Sequence, residues 1–168
     1  KVFLNRGTAK KNATDYLGAI ADYNLALKID SNYAEAYYNR GNALQVLKKI
    51  EDAIASYDKA ISLQPNYAEA YNNKGVALAE LKQFSVAVTS YDKAISLNPD
   101  HAEAHNNRGN ALARAGRLEQ AIAAYDEALR QQPGANCTPK HAPPPHVPLP
   151  INIYSGRLRR QVQQHGLR

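Results

Sequence analysis

Asn5, Asn39, Asn73 and Asn107 recur in the chain at a constant spacing of 34 residues. Asn42 and Asn110 stand three positions beyond two of them. A carboxamide presents a donor and an acceptor side by side, so it can pair with both the C=O and the N–H of another chain's backbone. Carboxamides on helices stacked about 10 Å apart would meet every third residue of an extended ligand, which rises roughly 3.1–3.3 Å per residue. Such a ladder would hold a peptide by its backbone and read little of its side chains. Asparagine is also ordinary on a solvated helix face, and near-identical repeats copy a residue whether or not it is used.

Other reactive side chains form no comparable pattern. His101 and His105 are four apart and could share a metal, but their places suit a helix cap and an aromatic core position. Cys137, His141, His146 and His165 are zinc ligands by type, yet no paired-cysteine spacing supports a site. No glycine-rich loop follows a strand, so no phosphate cradle is expected. Serines, threonines and carboxylates recur with the repeat, and none is singled out as a catalyst. We therefore expect a chain that is not an enzyme, with no metal and no cofactor.

The elements that would position the asparagines follow from the same period. Ala34-Glu35-Ala36-Tyr37 returns as Ala68-Glu69-Ala70-Tyr71 and as Ala102-Glu103-Ala104-His105. Ser56-Tyr57-Asp58-Lys59-Ala60-Ile61-Ser62-Leu63 returns intact from Ser90 to Leu97. A worn first copy leaves four units, 1–33, 34–67, 68–101 and 102–135, with a separate tail over 136–168. Each unit predicts two helices, because Ala36, Tyr37, Ala43, Leu44 and Leu47 make one helical stripe and Ala53, Ile54, Tyr57, Ala60 and Ile61 another. Asn32 with Glu35, Asn66 with Glu69 and Asp100 with Glu103 have the spacing of a capping box. Pro65, Pro99 and Pro133 should end the second helices. Gly41, Gly75 and Gly109 fall mid-helix, where glycine costs about 1 kcal/mol against alanine. A cost kept at a fixed period implies close approach of backbones, with Ala53, Ala87 and Ala121 the expected partners.

These residues resemble the tetratricopeptide repeat (TPR) pattern. It is carried by Tyr37, Gly41, Leu44, Ala53, Tyr57, Ala60 and Pro65, and by their equivalents up to Pro133. The first unit departs from it, with Ser31 in place of proline and Lys10 in place of an apolar residue. A basic residue, Arg6, Arg40, Lys74 or Arg108, precedes each glycine where the family often has leucine. Its aliphatic stem would cover apolar surface while its charge stays in water. The resemblance implies an all-α, right-handed superhelical solenoid whose first helices line a concave groove. It also implies protein–protein interaction, and the asparagine ladder is similar to that of O-GlcNAc transferase-type TPR superhelices. Clasping a C-terminal carboxylate would require cations where Tyr38, Asn72 and Asn106 stand.

Charge and composition bound the rest. The 168 residues carry a formal charge of +6, but five of the cations, Lys140, Arg157, Arg159, Arg160 and Arg168, follow Pro133 in a stretch without Asp or Glu. Residues 1–133 hold 16 basic and 15 acidic groups and are nearly neutral, so the positive charge is weak support for nucleic-acid binding. Pro139, Pro143, Pro144, Pro145, Pro148 and Pro150 favour polyproline II in the tail. Its own groove or a neighbour's is one expected place for that segment, and self-association is a second expectation. No apolar run is long enough to span a bilayer, and a cytoplasmic location is expected. A start at Lys1 with the helical pattern under way reads as a fragment or processed product. The leading functional expectation is a non-catalytic module that binds an extended peptide through Asn5, Asn39, Asn42, Asn73, Asn107 and Asn110. The alternative is the substrate-recruiting arm of a larger enzyme such as a glycosyltransferase.

Overall fold

The computed structural model describes residues 1–131. The expectations for Pro133, for the zinc-ligand types from Cys137 onward and for the tail lie outside the described residues. Among the described residues eight helices follow one another: α1 (Val2–Asn12), α2 (Tyr16–Ile29), α3 (Ala34–Val46), α4 (Ile50–Leu63), α5 (Ala68–Glu80), α6 (Phe84–Leu97), α7 (Ala102–Arg114) and α8 (Leu118–Gln131). Each odd-numbered helix pairs with the next as a hairpin, and each hairpin stacks on its neighbours. No strand occurs among the described residues. The chain is an all-α solenoid.

Small and aromatic residues hold each hairpin together. Ala19, Ala53, Ala87 and Ala121 are fully buried, as are Tyr23, Tyr57 and Tyr125, with Tyr91 nearly so. A Cβ added at Gly41 would lie 2.6 Å from Cε1 of Tyr57, and the equivalent approach is 2.5 Å for Gly75 and Tyr91. The partner of the mid-helix glycine is thus the tyrosine ring one turn beyond the expected alanine. The missing side chain makes room for a large ring, which lets the ring fill the hairpin.

The hairpin turns close with one geometry. At the end of α3, Lys49 N–H donates to Leu44 C=O and Lys48 N–H donates to Gln45 C=O. This is a Schellman closure, and it places Lys48 in the left-handed region at φ 60°. Thr14, Lys82 and Gly116 adopt the same conformation at the equivalent points. Glycine meets that demand only in the fourth unit.

The helix starts differ from the capping-box expectation. The N-cap positions are Tyr33, Tyr67 and His101, without a side-chain cap bond. Asn32, Asn66 and Asp100 therefore fall one residue before the N-cap. The Tyr67 ring packs 4.9 Å from that of Tyr38, centroid to centroid, and this packing of the α5 N-cap residue against α3 accompanies the shifted entry into α5. α2 stops at Ile29 without a proline, helped by a turn in which Asn32 N–H donates to the Asp30 carboxylate.

Candidate functional site

The odd-numbered helices touch one another from unit to unit: α1 with α3, α3 with α5, and α5 with α7. The even-numbered helices make no comparable contact with each other among the described residues. Closer spacing on one side of a stack bends it toward that side, so the odd-numbered helices line the inner face. That face carries the asparagines.

A polar network crosses it. Asn73 Nδ2 donates to the Tyr38 hydroxyl at 3.1 Å and to Asn42 Oδ1 at 2.9 Å. Asn72 Nδ2 donates to Asn73 Oδ1 at 3.3 Å, and Asn107 Nδ2 donates to Asn72 Oδ1 at 3.2 Å. The Tyr57 hydroxyl bonds both Asn42 Oδ1 and Gln45 Oε1 at 2.9 Å, and the Tyr125 hydroxyl donates to Asn110 Oδ1 at 2.8 Å. Val76 takes the matching place before Tyr91, so that tyrosine lacks this carboxamide partner. Burial is the main reason that the Tyr57 and Tyr91 phenols are held well above the usual range.

The predicted residues separate into two groups. Asn42, Asn73, Asn107 and Asn110 are tied into the network; Asn42 also bonds Tyr38, and among the described residues the ties leave Asn110 Nδ2 and Asn107 Oδ1 without a partner. Asn5 and Asn39 form no side-chain hydrogen bond among the described residues. Asn5 is exposed, whereas Asn39 is only 8% exposed. Among the described residues no fully buried side-chain polar atom is left without a partner, so the unpartnered carboxamide of Asn39 keeps some exposed surface. Asn72, Tyr38 and Gln45 join the network on the same face. The spacing from Asn42 to Tyr57, repeated by Asn110 and Tyr125, was the signal that could have found the tyrosine anchors.

The basic residues before the glycines each have a polar partner. Lys74 pairs with Asp58 and Arg108 with Asp92, each across a unit boundary. Arg40 bonds Asn24 at 3.0 Å and Ser56 at 3.2 Å. Arg6 turns to Asp22 of its own hairpin, which Lys10 also meets at 3.0 Å. Lys48 and Gln45 both bond Glu80 at 2.8 Å. Burial pushes the Glu80 carboxyl up, but these two bonds outweigh it and hold the group below its usual range. His105 sits with Nε2 2.9 Å from the Pro99 carbonyl oxygen, in the core place expected for it.

Sequence models described as tetratricopeptide repeat match residues 34–67, 56–85 and 73–136, and one described as TPR repeat matches 15–48. The chain belongs to the tetratricopeptide repeat family. No curated protein matches it by sequence. Among solved structures, MamA protein is 26% identical with a TM-score of 0.82, over 99% of this TPR chain and 82% of that one. YrrB, titled a TPR protein with an unusual peptide-binding site, is 23% identical with a TM-score of 0.77, over 97% of this chain and 77% of that one. The first TPR of Spaghetti (RPAP3), bound to an HSP90 peptide, is 23% identical with a TM-score of 0.68, over 80% of this chain and 96% of that one. Family and fold are those of a protein-interaction scaffold. No helix among the described residues is long and apolar enough to cross a membrane.

Proposed function

We propose that this TPR protein is a non-catalytic module that holds an extended peptide of a partner protein in its inner groove. The observation that carries the reading is Asn39, a largely buried carboxamide on an inner-face helix with no hydrogen-bond partner among the described residues. Covering it with a surface that leaves it unpaired would cost about 1–3 kcal/mol, and a ligand backbone would supply both missing bonds. Asn5 offers the same pair of groups at the next position along the ladder. Asn42 and Asn110 would act as donors to ligand carbonyls, because Tyr57 and Tyr125 occupy their oxygens. Asn107 would accept from a ligand N–H through its free oxygen, and Asn73 would hold its neighbours in place.

Screening the full chain against an array of extended peptides tests this, with side-chain amide signals followed by NMR. Binding should shift the Asn39, Asn42 and Asn107 signals, and Asn39→Ala should weaken different peptides by a similar factor of about ten. Shifts confined to the even-numbered helices would refute the groove. Loss of one peptide alone on Asn39→Ala would show side-chain recognition instead.

A further inference from the structure

Glu35, Glu69 and Glu103 repeat at 34-residue spacing in the first turns of α3, α5 and α7. All three are exposed, and none is in an ion pair among the described residues. For Glu103 the place relative to the groove is shown by contact. Asn72 Nδ2 donates to Glu103 Oε1 at 3.4 Å, so this carboxylate touches the carboxamide network directly. Glu69 and Glu103 each stand one turn before Asn73 and Asn107 on the same face of α5 and α7, and after burial their charges help to raise the Tyr38 phenol. The opposite edge, formed by the last turns, is mixed: Lys48 neutralises Glu80, and Arg114 stacks over Phe84 at 5.8 Å.

One edge of the groove is thus a row of carboxylates without cation partners. One turn along α3 from Glu35, on the same helix face, lies the unpartnered, nine-tenths-buried Asn39, a group whose missing bonds call for a ligand backbone. Units stacked about 10 Å apart would offer one carboxylate for every three residues of an extended chain.

We infer that the peptide this groove selects is basic, with lysine or arginine at every third residue directed to the edge formed by Glu35, Glu69 and Glu103. The inference rests on the peptide-binding reading above and adds the chemistry of the ligand. The formal charge of the chain is +6, so attraction of a cationic ligand runs against the net charge and has to arise in the groove itself.

The test uses the full chain and three labelled peptides of equal length, with Lys, Gln or Glu at every third position and Ala elsewhere, followed by fluorescence anisotropy. Exposed charge pairs are individually weak, and three together should favour the Lys peptide over the Gln peptide by about tenfold at low salt. The advantage should shrink as salt rises and vanish in the Glu35→Gln/Glu69→Gln/Glu103→Gln variant. A control with the same charge change elsewhere, Glu51→Gln/Asp52→Asn/Glu119→Gln, should keep it. Equal binding of the three peptides, or a preference that survives the groove variant, would overturn charge selection and leave peptide binding standing. If none of the three binds, the peptide-binding reading falls and this inference with it.

Discussion

A methyl group at Gly41 would sit 2.6 Å from Cε1 and 2.8 Å from Cδ1 of a tyrosine with no exposed surface. Two effects compete there. Alanine improves the helix by about 1 kcal/mol, while overpacking a filled core costs about 1–3 kcal/mol. Tyr57 has no solvent to swing into, and its hydroxyl is held by Asn42 and Gln45. The steric effect therefore wins. Gly41→Ala should lower stability by about 1–2 kcal/mol, read as an earlier urea midpoint, although alanine is the better helix former. A stabilised variant would show that the ring yields. The glycine was legible in the sequence as a costly residue kept at a fixed period. Its partner was not, because periodicity gives which residues share a stripe and not how far a ring extends from it.

At the scale of the helix pair, the first hairpin differs from the others in burying a carboxylate. Asp22 is 2% exposed and takes the place of Ser56 and Ser90. Hydrogen bonding from Arg6 is the largest influence on it. Together with Lys10 it overcomes burial and lowers the carboxyl from 3.8 to about 2. A carboxyl depressed on folding adds stability that is complete above its unfolded value and fades as pH falls through the folded one. The α1–α2 hairpin should therefore keep this contribution at neutral pH and lose it as pH drops from about 4 toward 2. Asp22→Asn should weaken the hairpin at neutral pH and flatten that acid dependence, as followed by amide exchange in α1 and α2. An unchanged acid profile would mean that the pairing contributes nothing to folding. The helices themselves were legible from their stripes. The caps were not: Asn-to-Glu spacing reads the same whether or not the asparagine lies inside the first turn, and here the aromatic N-cap residue takes that place.

For the whole molecule, repetition implies that each hairpin depends mainly on its neighbours, as in other solenoids. The cation before Gly75 and before Gly109 is part of that dependence, since Lys74–Asp58 and Arg108–Asp92 each join one hairpin to the one before it. The sequence showed these cations as a departure from the family pattern, but the partner lies 16 residues back on another helix, beyond the reach of local spacing. Each pair is partly exposed and worth less than about 1 kcal/mol, so overall stability is a poor readout. Local opening is a better one. Arg108→Gln should speed amide exchange in α7 and α8, which form the last described hairpin, and leave α1 to α4 unchanged. Lys74→Gln should instead act on the boundary between α4 and α5. Were exchange to rise evenly along the chain in either variant, the hairpins would be opening as one block. The groove would then have to be treated as a single rigid surface and not as units that adjust one at a time to a ligand.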